Sequence, residues 1–445
     1  MSCPEAFAPA MPVAEACRRA GGRALLVGGA VRDWLIAVEG VGPAGASAGL
    51  APKDLDLEVH GIEAPVLERL LRRLGSVSLV GQSFAVYKLT LGPHELDVSL
   101  PRRDSVCGSG HRGILAVGDP QMGFREAARR RDLTINALAY DPVSDEVEDP
   151  WGGRDDLRAR RLREVDPRTF GEDPLRALRV PQLAARLQFE VVPGLLALCA
   201  AMPLHELPPE RVGGELRKLL IRAPAPSWGL DERLCDAVWR RLHPALGALD
   251  WGAVRPAVDR AARIRRARWA GGGPRAEALM LASLLHGVPD SSMEGLLDRL
   301  DVFSLAGFPV RRAVQVAVRR CPGLPVAADD GALRTMAREA QTVGGSGLWL
   351  AVAAAVRGDT RLDELLARVD TLGVALGAPS PLVGGRDLLA LGFTPGAAMG
   401  VLLERLYRRQ LLEGLTEAAP LLAEAGSLSA EALTSVPNRG DGDAS

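Results

Sequence analysis

Two stretches near the start of the chain carry residue types suited to one kind of chemistry. Asp54-Leu55-Asp56-Leu57-Glu58-Val59 alternates polar and apolar residues, the period of a half-buried strand. That period puts Asp54 and Asp56 on one strand face, where neighbouring carboxylates repel unless cations sit between them. Upstream, Leu25-Leu26-Val27 is a short apolar run that stops at Gly28-Gly29, and Ala30 to Leu35 then follows helical spacing. Without side chains, Gly28 and Gly29 let backbone N–H groups approach a ligand closely, and a glycine turn opening onto a helix N-terminus suits phosphate oxygens. A phosphate cradle beside a dicarboxylate is what metal-assisted phosphoryl or nucleotidyl transfer requires.

The elements that must position these groups are legible in outline. Residues 23–27, 55–60, 77–81, 84–91 and 95–100 are expected as strands and 63–74 as a helix, giving an α/β head over 1–150. In the strand His94 to Ser99, Asp97 falls where a third carboxylate would meet Asp54 and Asp56; a solvated strand-edge aspartate fits the same pattern. Pro101 to Phe124 is polar and aperiodic, and is expected as a long loop. Glu126 to Tyr140 is expected as a helix. Beyond residue 225 strand signals vanish, and helices are expected at 230–241, 253–268, 275–286, 291–300, 308–320, 329–341, 346–357, 360–373 and 396–413.

Composition narrows the class. The 445 residues, 47% hydrophobic and 24% charged, suffice for several cores. A net charge of -1 excludes a protein basic all over, so RNA binding would need a local patch. Asp259–Trp269 and Arg311–Arg320 are the candidate stripes, with solvated helix faces as the alternative. Scattered cysteines without CxxC or His/Cys ligand spacing point to a reduced, cytoplasmic protein. The first residues carry Glu5 and Glu15 and no basic segment, unlike a secretory signal. Val343 to Val356 is uncharged but too short to span a bilayer, so no membrane partner is expected. The polar end, 435–445, is expected to be disordered.

The combination GGxVRD followed by DxD resembles the class II tRNA nucleotidyltransferases, which include CCA-adding enzymes and bacterial poly(A) polymerases. The resemblance implies an α+β N-terminal nucleotidyltransferase head, a polymerase-beta-like mixed sheet with helices, followed by an all-α body and tail. Asp54 and Asp56 would hold Mg²⁺, with Asp97 as the further catalytic carboxylate, and Gly28, Gly29 and Arg32 would hold a triphosphate. Arg130-Arg131-Asp132-Leu133-Thr134-Ile135-Asn136-Ala137 resembles the family's RRDFTINA motif, with Leu133 replacing Phe. It puts Arg131 and Asp132 near the nucleotide's sugar and phosphates, Asp132 accepting from the ribose 2′-OH, and Asn136 joins them as a nucleotide-binding residue. Arg102-Arg103-Asp104 and Gly108 to Ile114 are similar to the family's PRRE and GxGHRGF loop segments, with Asp for Glu and Ile for Phe. In CCA-adding relatives that loop is tied to the switch from C to A addition. Asp149 to Leu157 matches DPxGGxxDL, a hinge and turn.

Glu172-Asp173-Pro174-Leu175-Arg176 matches the family's EDxxR motif. As plain structure, Asp173 before Pro174 is a good helix start. As function, a guanidinium can donate to cytosine N3 and O2 or adenine N1, while a carboxylate accepts from the exocyclic amino group of either base. Uracil and guanine present an oxygen there and would leave the carboxylate unpaired, at roughly 1–3 kcal/mol. Asp173 and Arg176 are therefore the expected base-side contacts, and Arg179, one turn on, is a further expected nucleotide-binding residue. Pro181 departs from the family pattern and is expected to kink this helix, at about 3 kcal/mol. Leu207 to Leu216 resembles (S/P)xERxxxEL, with Glu210, Arg211 and Glu215 as a structural ion-pair network. Where relatives carry a His-Asp phosphohydrolase pair, this chain has His286-Gly287. Gly385 to Gly400 resembles the GxDLxxLGxxPGxxxG tail element, near bound tRNA in the family. The implied domains are a head (1–150), a base-reading neck (151–225), a degenerate phosphohydrolase-like body (226–380) and a tRNA-binding tail (381–434). The implied activity is template-independent addition of C and A to the tRNA 3′ end from CTP and ATP. Open alternatives are CC-only or A-only addition, a poly(A) polymerase, and a non-catalytic RNA-binding protein.

Overall fold

The computed structural model describes residues 3–42, 55–80, 86–106 and 114–434. The chain forms two compact units, Met1–Trp251 with Val288–Asp301, and Gly252–Gly287 with Val302–Ser445.

The first unit is built on a seven-stranded mixed sheet ordered β3-β4-β5-β2-β1-β8-β9. Its strands are β1 (Arg23–Val27), β2 (Leu55–His60), β3 (Ser76–Val80), β4 (Val86–Leu91), β5 (His94–Ser99), β8 (Ala139–Asp141) and β9 (Glu146–Glu148). The first five stand within two residues of their expected bounds, because period-two alternation buries Leu55, Leu57 and Val59 on one face and Leu96 and Val98 beside them. β2 and β5 run parallel, and their register sets Asp56 against Asp97. Other neighbours are antiparallel. Four helices pack on this sheet: α1 (Met11–Arg19), α2 (Gly29–Glu39), α3 (Ala64–Leu74) and α4 (Phe124–Arg129). Leu25 and Val27 of β1 pack with Phe124, Ala128, Ala137, Ala139 and Val165.

Two expectations are corrected. Residues 126–140 are not one helix: α4 stops at Arg129, a 3₁₀ turn occupies Thr134–Asn136, and Ala139 pairs with Val27 in the sheet. The cause is local, since Asp132 Oδ1 accepts from Leu133 N at 2.8 Å and Asn136 Nδ2 at 2.9 Å, bonds that compete with helix continuation. Residues 101–124 are not irregular either. β6 (Arg102–Val106) and β7 (Ile114–Gly118) form an antiparallel pair. The 108–113 part of the loop motif lies outside the described residues, as does the 435–445 segment.

Below the sheet the unit is helical: α5 (Gly153–Arg158), α6 (Pro167–Phe170), α7 (Leu175–Leu187), α8 (Pro193–Ala201) and α9 (Pro209–Arg217), with β10 (Arg161–Leu162) parallel to β11 (Glu190–Val191). α7 runs unbroken through buried Pro181. The 226–230 turn seats Gly229 where an added Cβ would lie 2.3 Å from the Pro181 carbonyl. Helix Asp290–Arg299 completes this unit: Arg299 donates to the Leu204 and Leu207 carbonyls, and a Cβ on Gly213 of α9 would lie 2.4 Å from Leu300 O.

The second unit is helical throughout its described residues, with Pro274–Leu284, Val310–Arg320, Asp330–Ala340, Ser346–Arg357, Thr360–Thr371 and Ala397–Glu413 close to their expected spans. Its last helices pack around Leu388, Leu402, Leu406, Leu421 and Ala425. His286 Nδ1 lies 2.9 Å from Ser283 O. Among the described residues, no helix is long and apolar enough to cross a membrane.

Candidate nucleotide and metal site

β1 ends at Val27, and Gly28 turns the chain with φ +77° into α2. An L side chain is strained at that angle, and the space is already bounded. A Cβ on Gly28 would lie 3.2 Å from Arg131 Nη1 and 3.8 Å from Asp56 Oδ2. The glycine turn, the β2 carboxylate and the Arg131 guanidinium therefore share one small region.

Asp56 is exposed at the turn. Asp97, its register partner on β5, has Lys88 Nζ at 3.9 Å and a side chain 40% exposed. Residues opposed in a parallel pair share a face, so both carboxylates rise from one side of the sheet. Asp54, immediately before β2, lies outside the described residues. No group of three His, Cys, Asp or Glu side chains among the described residues converges as a metal site. What is described nonetheless fits a hard cation: two carboxylates on one face, beside a cradle that a single Cβ would fill.

Glu58 was not singled out from the sequence, although the same alternation puts it on the face of Asp56. It is 1% exposed, with His60 Nε2 at 3.3 Å, Arg130 Nη2 at 3.7 Å and Arg131 Nη2 at 3.9 Å. Burial alone would raise its pKa, but His60, Arg131 and Arg130 hold the carboxyl below the ordinary glutamate value. It anchors the Arg131 side chain that walls the glycine turn.

The remaining expected nucleotide residues belong to a buried polar network. Arg32 is 4% exposed; its Nε donates to Asp33 Oδ1 at 2.8 Å and its Nη1 to Asn136 Oδ1 at 2.5 Å. Burial lowers its pKa, opposed by Asp33. Arg32 thus lies beneath the turn, a Cβ on Gly29 falling 3.5 Å from its Nη2, and its guanidinium does not face outward from the turn. Asn136 is 5% exposed and uses both ends of its amide. Asp132, 7% exposed, accepts from Arg179 Nε at 2.7 Å. Burial pushes the Asp132 carboxyl up, and Arg179 with Asn136 overcomes that and holds it low.

At the start of α7, Asp173 accepts from Leu175 N at 3.0 Å and from Arg211 Nη2 at 2.9 Å. Arg176 donates to the carbonyls of Thr169 and Arg130. Both members of the expected base-reading pair are engaged within the protein, and reading a base would require them to exchange partners. Arg211 and Glu215 do form ion pairs, with Asp173 and Lys218 respectively. The DPWGG element is an anchor more than a hinge. Asp149 caps α5 through Gly153 N and Arg154 N, and buried Asp156 binds Thr134 Oγ1 at 2.6 Å and Arg163 Nε at 2.9 Å. Gly153 lets α5 approach, since its Cβ would lie 2.3 Å from Thr134 O.

Residues 24–163, which hold this glycine turn and the paired carboxylates, match the family model described as the poly A polymerase head domain. Among curated proteins, the chain is 38% identical over 231 residues to the multifunctional CCA protein of Xanthomonas campestris pv. campestris (strain B100), covering 50% of this chain and 51% of that one. It is 36% identical over 211 residues to the multifunctional CCA protein of Xylella fastidiosa (strain 9a5c), covering 46% of each. The chain spans about half the length of the curated relatives it matches. The fold itself continues further. The structure of the Bacillus stearothermophilus CCA-adding enzyme in complex with CTP matches with a TM-score of 0.68 at 21% identity, over 97% of this chain and 99% of that one. The Thermotoga maritima CCA-adding enzyme complexed with tRNA matches with a TM-score of 0.64 at 21% identity, over 94% and 93%. The chain has the fold of the CCA-adding enzymes.

Proposed function

We propose that the protein is a template-independent tRNA nucleotidyltransferase that adds C and A to the tRNA 3′ end, using CTP and ATP. The observation that carries this reading is the meeting of the Gly28 turn, Asp56 and Arg131 in a chain similar to multifunctional CCA proteins. The Gly28-Gly29 backbone takes phosphate oxygens at the N-terminus of α2, and Arg131 adds a guanidinium at the same place. Arg32 and Asn136 hold that turn from below. Asp132 and Arg179 fix the 132–136 turn on the sugar side of the nucleotide. Asp173 and Arg176 read the base, giving up Arg211 and the Thr169 and Arg130 carbonyls as they do so. Asp54 and Asp56, with Asp97 beside them, would hold Mg²⁺, which when bound supplies charge stabilisation at the transferring phosphate and a more acidic 3′-hydroxyl. Residues 151–225 serve as the base-reading neck, 226–380 as a body and 381–434 as the tail against tRNA, in a cytoplasmic setting.

Three tRNA transcripts test this: one lacking CCA, one ending in CC and one complete, each with CTP and ATP separately and together. The expected outcome is CCA on the first, A on the second and nothing on the third. A product stopping at CC with both nucleotides present would make it a CC-adding enzyme, and incorporation of UTP equal to CTP would overturn the role of Asp173 and Arg176.

A further inference from the structure

α7 reaches the head twice, through side chains two turns apart. Arg179 donates to Asp132 Oδ2 at 2.7 Å, and Arg186 Nη2 donates to Asp33 Oδ2 at 2.6 Å. Between these two contacts the bonds run without a break. Asp132 Oδ1 takes the Asn136 amide, Asn136 Oδ1 takes Arg32, and Arg32 returns to Asp33 Oδ1. The six side chains close a ring that leaves α7, passes under the glycine turn and comes back to α7. Three of them, Arg32, Asp132 and Asn136, are buried. Arg32 also joins the turn through its backbone, donating to Gly28 O at 3.2 Å. Such a closed network resists local adjustment, because moving one member strands a neighbour's charge in a poorly solvated place.

We infer that Arg186 and Asp33 are positioning residues that set the spacing between the phosphate-holding turn and the base-facing start of α7. Neither is among the groups assigned to the nucleotide above, and Arg186 sits on the last turn of α7, away from Asp173 and Arg176. The ring ties the turn to α7 and so holds the distance between them. Its loss lets the turn and α7 drift apart, so nucleotide binding weakens for CTP and ATP alike while the carboxylates at Asp56 and Asp97 keep their places. The inference rests on the proposed function for the identity of the nucleotides.

The test measures CTP and ATP binding to the full chain without tRNA, and KM and kcat for addition to tRNA, in R186Q, R186K and D33N. R186Q removes a charge-assisted hydrogen bond, and about a tenfold rise in Kd and KM for both nucleotides is expected, with kcat at saturation within about threefold. R186K can still reach one carboxylate oxygen and is expected to recover most of the loss. D33N weakens the ring from the other side, at Arg32 as well as Arg186, and serves should R186Q fail to fold, with the same direction expected. The double variant D33N/R186Q is expected to be no weaker than the worse single variant, since both cut one ring. Unchanged nucleotide affinity in a folded R186Q or D33N overturns the inference, as do effects that multiply in the double variant. A wild-type chain that binds CTP but never extends tRNA overturns the proposed function and leaves the ring intact; one that binds neither nucleotide overturns both.

Discussion

The two acidic districts of the first unit look alike in sequence and differ in structure. On β2 and β5, Asp56 is exposed and Asp97 half-exposed, with Lys88 at 3.9 Å from the latter. Under the sheet, Asp33, Asp132 and Asp156 are each met by arginine at hydrogen-bond distance and are largely withdrawn from water. The first set stands open to water, whereas the second is withdrawn among arginines of the framework. Aspartates of charged motifs therefore divide by burial and partner into two settings, one open to solvent and one built into the framework.

That division can be broken most visibly at Asp56. D56A is expected to lower nucleotide incorporation by about a thousandfold or more, the several kcal/mol that carboxylate-held metal contributes, with the melting temperature nearly unchanged. Labelled CTP and ATP incorporation and thermal melts on the same sample check both halves. A stability loss matching the activity loss would erase the contrast.

D132A should show the opposite balance. It strands Arg179, the Asn136 amide and Leu133 N, and removing one member of such a buried pair costs about 3–5 kcal/mol, readable by denaturant unfolding. The pH dependence follows from the depressed carboxyl. Asp132 contributes stability that is complete above the ordinary aspartate pKa of about 3.9 and is lost as pH falls through its lower folded value. Melts between pH 6 and pH 3 are expected to steepen below about pH 4 in the wild type and to flatten there in D132N.

The smallest expected effect lies between the districts. G28A adds a methyl at φ +77°, within 3.2 Å of Arg131 Nη1, a strain of about 1–2 kcal/mol. It is expected to raise KM for both nucleotides more than it lowers stability.

Much of this was legible in the sequence. An apolar run located β1 and alternation the strands around it, and the helices of the second unit stood out by their spacing and length. The misses have physical causes. Residues 126–140 carry helical composition, but Asp132 binds the chain ahead of it and Thr134–Asn136 turns, a local contest that propensity does not resolve. Glu58 lay in plain view of the alternation, yet nothing in sequence distinguishes a buried anchor for Arg131 from a solvated glutamate. Arg32 and Asn136 were expected to touch the nucleotide. Both lie buried under the turn, a placement that depends on where α7 and the 132–136 turn come to rest and that the sequence does not display.

The helix Asp290–Arg299 has a consequence for the protein's birth. It belongs to the first unit although its code follows thirty-odd residues of the second, roughly the length of a small supersecondary motif. A nascent chain that has emerged only as far as Trp251 still lacks the Arg299 bonds to Leu204 and Leu207 and the backbone that seats against Gly213. The ribosome must deliver residue 301 before the earlier unit can be whole, so its maturation waits on the synthesis of part of the next.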